Sequence, residues 1–416
     1  MKVKIHFFII LLIVGFSSHA QHLSYAQKVI DSLSSPAFFG RAYAYSGDLK
    51  TAEFIRSECL RYSSEVEMQE FSISVNSLIG ENYLFIENDT LTAGADYICA
   101  ATSSDVKGRF PFRILDKKLL NDSVAYAKFV GLNHSEHIIV VDTSGFEVES
   151  RDEIYQLFSG MNVLQAKGIL ALHLKLPAFV PGRYRAKHFL FHLKKERFNP
   201  DADFIEVGVE AIYEPQYITR NIIAKLEGRS DSAIVFTAHY DHVGTMGKDV
   251  YFPGANDNAS GTAAVLSLLK YFSDKENKHD LYFMFFSAEE LGILGSTYYT
   301  ENPGFPLSEI KFLINLDMVG SGSKGIQVVN GSVHQNEFDL LRELNAQNEY
   351  LADIKIRGAA ANSDHYPFHA KGVKSFFIYT LGNYKAYHNI SDTAEALPLT
   401  AFDNLLELLI RFTGKI

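Results

Sequence analysis

Five short polar stretches close apolar runs in this sequence, and each carries a carboxylate or an imidazole. Thr237-Ala-His239-Tyr-Asp241-His242 ends a buried-strand pattern and sets an imidazole beside a carboxylate able to orient its other ring nitrogen. Pro253-Gly-Ala-Asn-Asp257-Asn-Ala-Ser260-Gly261 has turn chemistry, and a carboxylate there can cap the next helix, bridge two cations, or do both. Phe285-Phe-Ser-Ala-Glu289-Glu290-Leu-Gly292 places two adjacent carboxylates at the mouth of a wholly apolar run. Ser287-x-x-Glu290 fits a helix capping box, which accounts for Glu290 but not for a second acid next to it. Leu313-Ile-Asn-Leu-Asp317 and Tyr387-His388-Asn-Ile-Ser-Asp392 complete the set.

Taken singly, each of these groups reads as a hydrogen-bonded core residue or a cap. Taken together, His239, Asp257, Glu290, Asp317 and His388 are nitrogen and oxygen donors of the kinds that zinc prefers, all at strand ends. Neighbouring residues at a strand-to-helix turn point in different directions, so one of two adjacent acids can ligate a metal while the other holds a water. That division suits hydrolysis at neutral pH, where a metal acidifies its water and a nearby carboxylate moves the proton.

The elements that must position these groups alternate. Ala233 to Ala238, Leu281 to Phe286, Ile310 to Leu316 and Val373 to Thr380 read as buried strands. Helical patterns lie between or after them, at Ala259 to Phe272, about Ala288 to Thr300, Gln335 to Glu349 and Phe402 to Phe412. The expected fold class is α/β, a three-layer, mostly parallel central sheet with helices on both faces and ligands at the carboxyl ends of its strands. Before this lies a helix around Asp48 to Leu60 and an alternating strand at Val66 to Val75. From Asn76 to Glu214 short strands and turn residues dominate, with one clear helix at Ile154 to Lys167. That stretch is expected to be an inserted β-rich domain, leaving 21–75 and 215–416 as the catalytic one; 416 residues exceed what a single core usually serves.

The sequence resembles the co-catalytic di-zinc aminopeptidases of the aminopeptidase Y and bacterial leucyl aminopeptidase type. The likeness runs from Ser34 to Glu70, with Phe39-Gly-Arg41 and Gly47-Asp48, and from Asn221 to the end. It implies two Zn2+ per chain: His239 and Asp317 on one, Glu290 and His388 on the other, and Asp257 bridging them. It implies Glu289 as general base and Asp241 as the carboxylate behind the first His. The insert resembles a protease-associated domain, through Val124 to Gly145 and Ala166 to His173. Ser363-Asp364-His365 matches a stretch near the substrate pocket, but Gly358-Ala-Ala-Ala-Asn362 replaces the region where some relatives carry a tyrosine. Tyr387 is then a candidate to stabilise an oxyanion, with simple packing as its other reading.

The remaining features bound the partners. With 49 acidic and 39 basic residues, a net charge of −10 offers no footprint for nucleic acid. Lys2 and Lys4, the apolar run Ile5 to Phe16 and Ser18-His19-Ala20 have the form of a signal peptide (residues 1–20), so a secreted or periplasmic protein starting near Gln21 is expected, with no membrane anchor after cleavage. Cys59 and Cys99 are candidates for one bridge, though a domain of this size does not need it. The sequons at Asn88, Asn121, Asn133, Asn258, Asn330 and Asn389 include two beside site residues, where a glycan would block access. The expected substrates are peptides with a free N-terminus. The competing reactions are those of a glutaminyl cyclase, for which a related ligand set holds one zinc, and of a carboxypeptidase, which needs a basic group for the substrate carboxylate. The Ser287-Ala-Glu-Glu-Leu-Gly292 stretch favours the peptidase, and no Arg lies within the motifs.

Overall fold

A computed structural model describes residues 23–87, 89–230 and 232–416. The expected signal peptide, the start near Gln21 and the Asn88 sequon lie outside the described residues. Ten strands form the main sheet. Its principal members are β1 (Glu65–Ile86), β2 (Ile205–Leu226), β3 (Ala233–His239), β4 (Asp280–Phe286), β5 (Ile310–Leu316), β6 (Ile326–Val329), β7 (Ile354–Ile356) and β8 (Ser375–Thr380). Their spatial order is β7-β6-β8-β5-β3-β4-β2-β1.

The centre, β8-β5-β3-β4, is parallel throughout, and β6, β2 and β1 add antiparallel edges. β3 is buried along its whole length, as a strand with parallel partners on both sides and helices on both faces must be. Ile234, Phe236 and Ala238 point to a core closed by residues 23–33, α1 (Gly47–Cys59), α2 (Gly261–Phe272), α4 (Gln335–Asn348) and α6 (Phe402–Thr413). Val235, with Met284 and Leu313, points to the opposite core, where α3 (Leu294–Glu301) and α5 (His365–Ala370) contribute Tyr299 and Phe368. The three-layer, centrally parallel α/β fold is therefore present.

Several local expectations need correction. The helix expected from Ala288 begins only at Leu294, because Ala288, Gly292 and Ile293 all adopt positive φ and wind 288–293 into a tight turn. Ser287 caps nothing there, since its hydroxyl pairs with that of Thr219 at 2.7 Å. The helix expected at 154–167 instead runs Val148–Tyr155 and continues to Gly160. Two further helices, Lys117–Asn121 and Ser123–Val130, start where Asp116 and Asp122 accept backbone N–H groups. Residues 97–194 carry a second, five-stranded sheet that is parallel at three of its four pairings. The boundaries expected at 75/76 and 214/215 both fall inside strands, for β1 and β2 pair from Glu65↔Lys225 to Ile86↔Ile205, with register shifts between Ile73 and Val75 and between Ile79 and Asn82, and carry the main sheet out toward the second one. Cys59 and Cys99 are free thiols buried in different cores.

Phe236 is fully buried and stacks on Phe283 and Phe272 with ring centroids 5.5 and 6.1 Å away. Phe236→Ala should cost about 3–5 kcal/mol, read as a lower urea midpoint at constant slope. A loss below about 1 kcal/mol would mean that α2 is not anchored at this layer.

Candidate active site

The five candidate ligands leave the sheet at neighbouring strand ends. His239 is the last residue of β3, Asp317 follows β5, Asp257 lies in the loop before α2, Glu290 sits in the turn after β4, and His388 lies in the loop after β8. Their donor atoms fall into two groups that share one member. His239 Nε2 is 3.4 Å from Asp257 Oδ1 and 3.4 Å from Asp317 Oδ1. His388 Nε2 is 3.0 Å from Asp257 Oδ2 and 3.0 Å from Glu290 Oε2. Asp257 thus turns one oxygen to each group, the geometry a bridging carboxylate requires. His388 Nε2 is buried without a well-formed hydrogen bond, as befits a nitrogen aimed at a cation site. The donors are of the N and O types that suit zinc, and no thiol takes part.

Further side chains hold these donors in place. Thr237 Oγ1 donates to Asn315 Oδ1 at 2.7 Å, Asn315 Nδ2 to Ser363 Oγ at 2.8 Å, and Ser363 Oγ to Asp317 Oδ2 at 2.9 Å, leaving the other oxygen of Asp317 free to face His239. Asp392 accepts from the backbone N–H groups of Asn256 and Asp257 at 2.9 and 3.1 Å and from the Tyr384 phenol at 2.9 Å, which fixes the bridging loop. Asn258 is wholly buried and engaged with Leu316 O and the amides of Gly261 and Met318, so its sequon is a packing element.

Asp241 meets His239 through its main chain and, at longer range, through its carboxylate. The Nδ1 of His239 lies 3.1 Å from the Asp241 carbonyl oxygen, whereas the nearest carboxylate oxygen is 3.8 Å away. The carboxylate also accepts from the backbone N–H groups of Glu289 and Glu290 at 3.1 and 3.3 Å. The turn at 288–293 cannot supply helical partners for those amides, so Asp241 takes their place and sets both acids at once.

Three contributors have no role in the sequence reading. His242 Nδ1 lies 2.9 Å from Glu290 Oε1, and His242 falls in the same donor group as Asp257, Glu290 and His388. An imidazole directly after Asp241 was the available signal. Arg41, fully buried, donates from Nε to Tyr240 O, from Nη1 to Leu33 O and Pro253 O, and from Nη2 to Gly254 O and Asp257 O. Phe179, from the second sheet's segment, offers its carbonyl to His388 Nδ1 at 3.0 Å, and its own N–H donates to His388 O at 3.2 Å. A backbone contact of this kind leaves no trace in residue identity.

The electrostatics are those of a site built for cations. Burial pushes the His388 imidazole down, but the carboxylates of Asp257 and Glu290, each 3.0 Å from its Nε2, outweigh it and lift the pKa to about 10. His239 is likewise buried, yet Asp317, Glu289 and Asp257 hold it well above its ordinary value. Burial, reinforced by Glu290, Asp364 and Asp317 and opposed by His239, raises Glu289 well above the usual carboxylate range. Burial also raises Asp364 to about 6 beside its 2.6 Å bond from Ser296. Glu289 belongs to neither donor group. Tyr387 is 49% exposed, stacks on the His388 ring with centroids 3.9 Å apart, and stands at the mouth of the site.

Two substitutions test this scaffolding. Arg41→Met leaves several buried carbonyls unpaired, so the unfolding free energy should fall by about 3 kcal/mol or more. Scanning calorimetry reads that loss, and an unchanged Tm would remove Arg41 from the scaffold. His242→Ala deprives Glu290 of a 2.9 Å partner. One zinc ion should then bind about 10–100-fold more weakly while the other is retained. Competition against a chromogenic chelator measures both constants, and two unaltered affinities would show that His242 only fills space.

Residues 221–413 match the model of peptidase family M28. The chain is 35% identical over 147 residues to aminopeptidase YwaD of Bacillus subtilis (strain 168), covering 34% of this chain and 30% of that protein. It is 30% identical over 129 residues to leucine aminopeptidase 2 of Trichophyton equinum, covering 30% of this chain and 25% of that one. The aligned segments thus span less than a third of either relative. Among solved structures, BSAP, a zinc aminopeptidase from Bacillus subtilis, superposes with a TM-score of 0.70 at 21% identity over 94% of both chains. A peptidase M28 precursor from Shewanella amazonensis does so with a TM-score of 0.68 at 15% identity, over 96% of this chain and 95% of that one. These likenesses carry the fold across both sheets, and the segment that matches peptidase family M28 is the one that holds both donor groups.

Proposed function

We propose that this protein is an exported, zinc-dependent aminopeptidase that hydrolyses the first peptide bond of peptides with a free N-terminus. The observation that carries the reading is Asp257, whose two oxygens face separate donor groups while Glu289, outside both, stands beside them. Aminopeptidase names on the sequence relatives support the same direction. His239 and Asp317 would hold one zinc ion, Glu290 and His388 the other, and Asp257 would bridge them. When bound, such ions polarise a substrate carbonyl and make water acidic enough to react at neutral pH.

The chain's own residues do the rest. Glu289, kept proton-hungry by burial and by neighbouring acids, takes the proton of the attacking water and delivers it to the departing amine nitrogen. Asp241 holds the Glu289 and Glu290 amides, so the base and the ligand keep their separate directions. Tyr387, half exposed and stacked on His388, would donate its phenol to the carbonyl oxygen as charge gathers there. The acid-rich interior favours the cationic end of a peptide, which selects the N-terminal residue. The second sheet, within residues 97–194, would serve as a protease-associated module that supplies no zinc donor but reaches His388 through Phe179. Export rests on the N-terminal pattern alone. Among the described residues no helix is long and apolar enough to cross a membrane.

Metal content and turnover measured together on two variants test the assignment. Wild type should carry two zinc ions per chain by elemental analysis. Glu289→Ala should keep both and lose roughly 10² to 10⁴ or more in turnover on leucine p-nitroanilide. Glu290→Ala should lose one ion, because a site short of a ligand binds its cation poorly. The reverse pattern would exchange the two roles, and one ion with full activity would favour the cyclase reading.

A further inference from the structure

The segment 176–186 is fastened to the site from several directions. Asn76 N–H donates to Gly182 O at 2.8 Å, and Ser74 Oγ donates to Arg183 O at 2.8 Å. The Phe179 ring stacks on Phe252 at 4.5 Å and 3°, while its backbone exchanges hydrogen bonds with His388. This anchoring brings the Arg183 side chain over the turn that presents the two acids. A Cβ built on Gly292 would lie 3.5 Å from Arg183 Nη1, and Gly292 N–H closes that turn onto Glu289 O at 2.8 Å.

Arg183 is exposed and, among the described residues, makes no ion pair and no side-chain hydrogen bond. Its neighbour Arg185 differs, being paired with Asp105. A guanidinium whose backbone is pinned on both sides stands unpaired beside a strongly acidic site and is free to meet an anion that the chain itself does not provide. We infer that Arg183 receives a substrate carboxylate on the leaving side of the scissile bond. The inference rests on the aminopeptidase reading above and adds to it a preference for the departing fragment.

The distances are compatible. The turn from Glu289 to Gly292 spans under about 7 Å. An extended peptide advances roughly 3.3–3.6 Å per residue. A carboxylate one or two residues past the cleaved bond therefore falls within reach of the guanidinium. The planar fork can meet it with two parallel hydrogen bonds. Substrate polarity matches as well, with the ammonium end among the acids and the anionic end at the rim. The carboxylate has two sources: the C-terminus of a di- or tripeptide, or an acidic side chain following the cleaved bond in a longer one. Among the described residues this is the cation that the sequence motifs lacked, supplied from the insert.

The test compares kcat/KM for Leu-Gly-Gly, its C-terminal amide and Leu-Glu-Gly amide in wild type, Arg183→Gln and Arg183→Lys. An ion pair at an exposed guanidinium is worth about 2- to 5-fold, so wild type should favour at least one carboxylate-bearing substrate over the neutral amide by about that ratio. Whichever is favoured identifies the source. Arg183→Gln should bring that ratio near one, Arg183→Lys should keep part of it, and salt should weaken the wild-type preference. A wild type without preference, or a preference that survives in Arg183→Gln, would overturn the inference and leave Arg183 a solvated surface cation. Wild-type activity on leucine p-nitroanilide judges the underlying reading separately. Failure there, with cleavage of N-acetylated peptides from the C-terminal end, would overturn the aminopeptidase reading and the leaving-side role together.

Discussion

The structure turns on one buried cation. Arg41 places its guanidinium among the carbonyl oxygens of Leu33, Tyr240, Pro253, Gly254 and Asp257, with no carboxylate in direct contact. Burial lowers its pKa to about 10, and the charges of Asp257, Asp392, Asp241 and Glu290 act against that fall. The arrangement is reciprocal. The acids keep the guanidinium charged in a dry interior, and the guanidinium ties the end of β3 to the loop that carries Asp257. Such a centre is costly to break from one side, since each partner left behind is a buried polar group without a substitute.

Around this centre the molecule separates the work of holding from the work of reacting. Sheet geometry brings His239 and Asp317 to adjacent strand ends, a relay of neutral hydroxyl and amide groups from Thr237 to Ser363 orients Asp317, and Asp241 sets the pair of glutamates. None of these supporting groups needs to change protonation in the proposed hydrolysis. The second sheet is drawn into the same scheme by backbone contacts between Phe179 and His388, so one proposed ligand is steadied from outside the main sheet.

Much of this was legible in the residues. β3, β4, β5 and β8 begin and end within two residues of the apolar runs that announce them, because a strand buried on both faces must be written in apolar side chains. His239, Glu290 and Asp317 also stand at or just past the ends of those runs, Asp257 and His388 lie in the loops that follow, and the structure brings all five together. What escaped was conformational or carried by the backbone. The turn at Ala288 to Ile293 uses positive φ at an alanine and an isoleucine, residues that advertise helix or strand. The contribution of Phe179 is a carbonyl, which every residue has. Strands β1 and β2 run through both expected domain boundaries, since an antiparallel ribbon can leave one sheet for another without a turn or a change in composition.

The wiring of Arg41 also governs when the fold can close. Of its carbonyl partners, Leu33 is 8 positions away, while the others lie 199, 212, 213 and 216 positions further along the chain. At about 5–20 residues per second, ribosomal synthesis of that interval takes on the order of 10–40 s. Throughout it, a residue made near the start waits for most of its partners. The Arg41 anchor can therefore close only once the Asp257 stretch has been made, with the Glu290, Asp317 and His388 stretches still to follow.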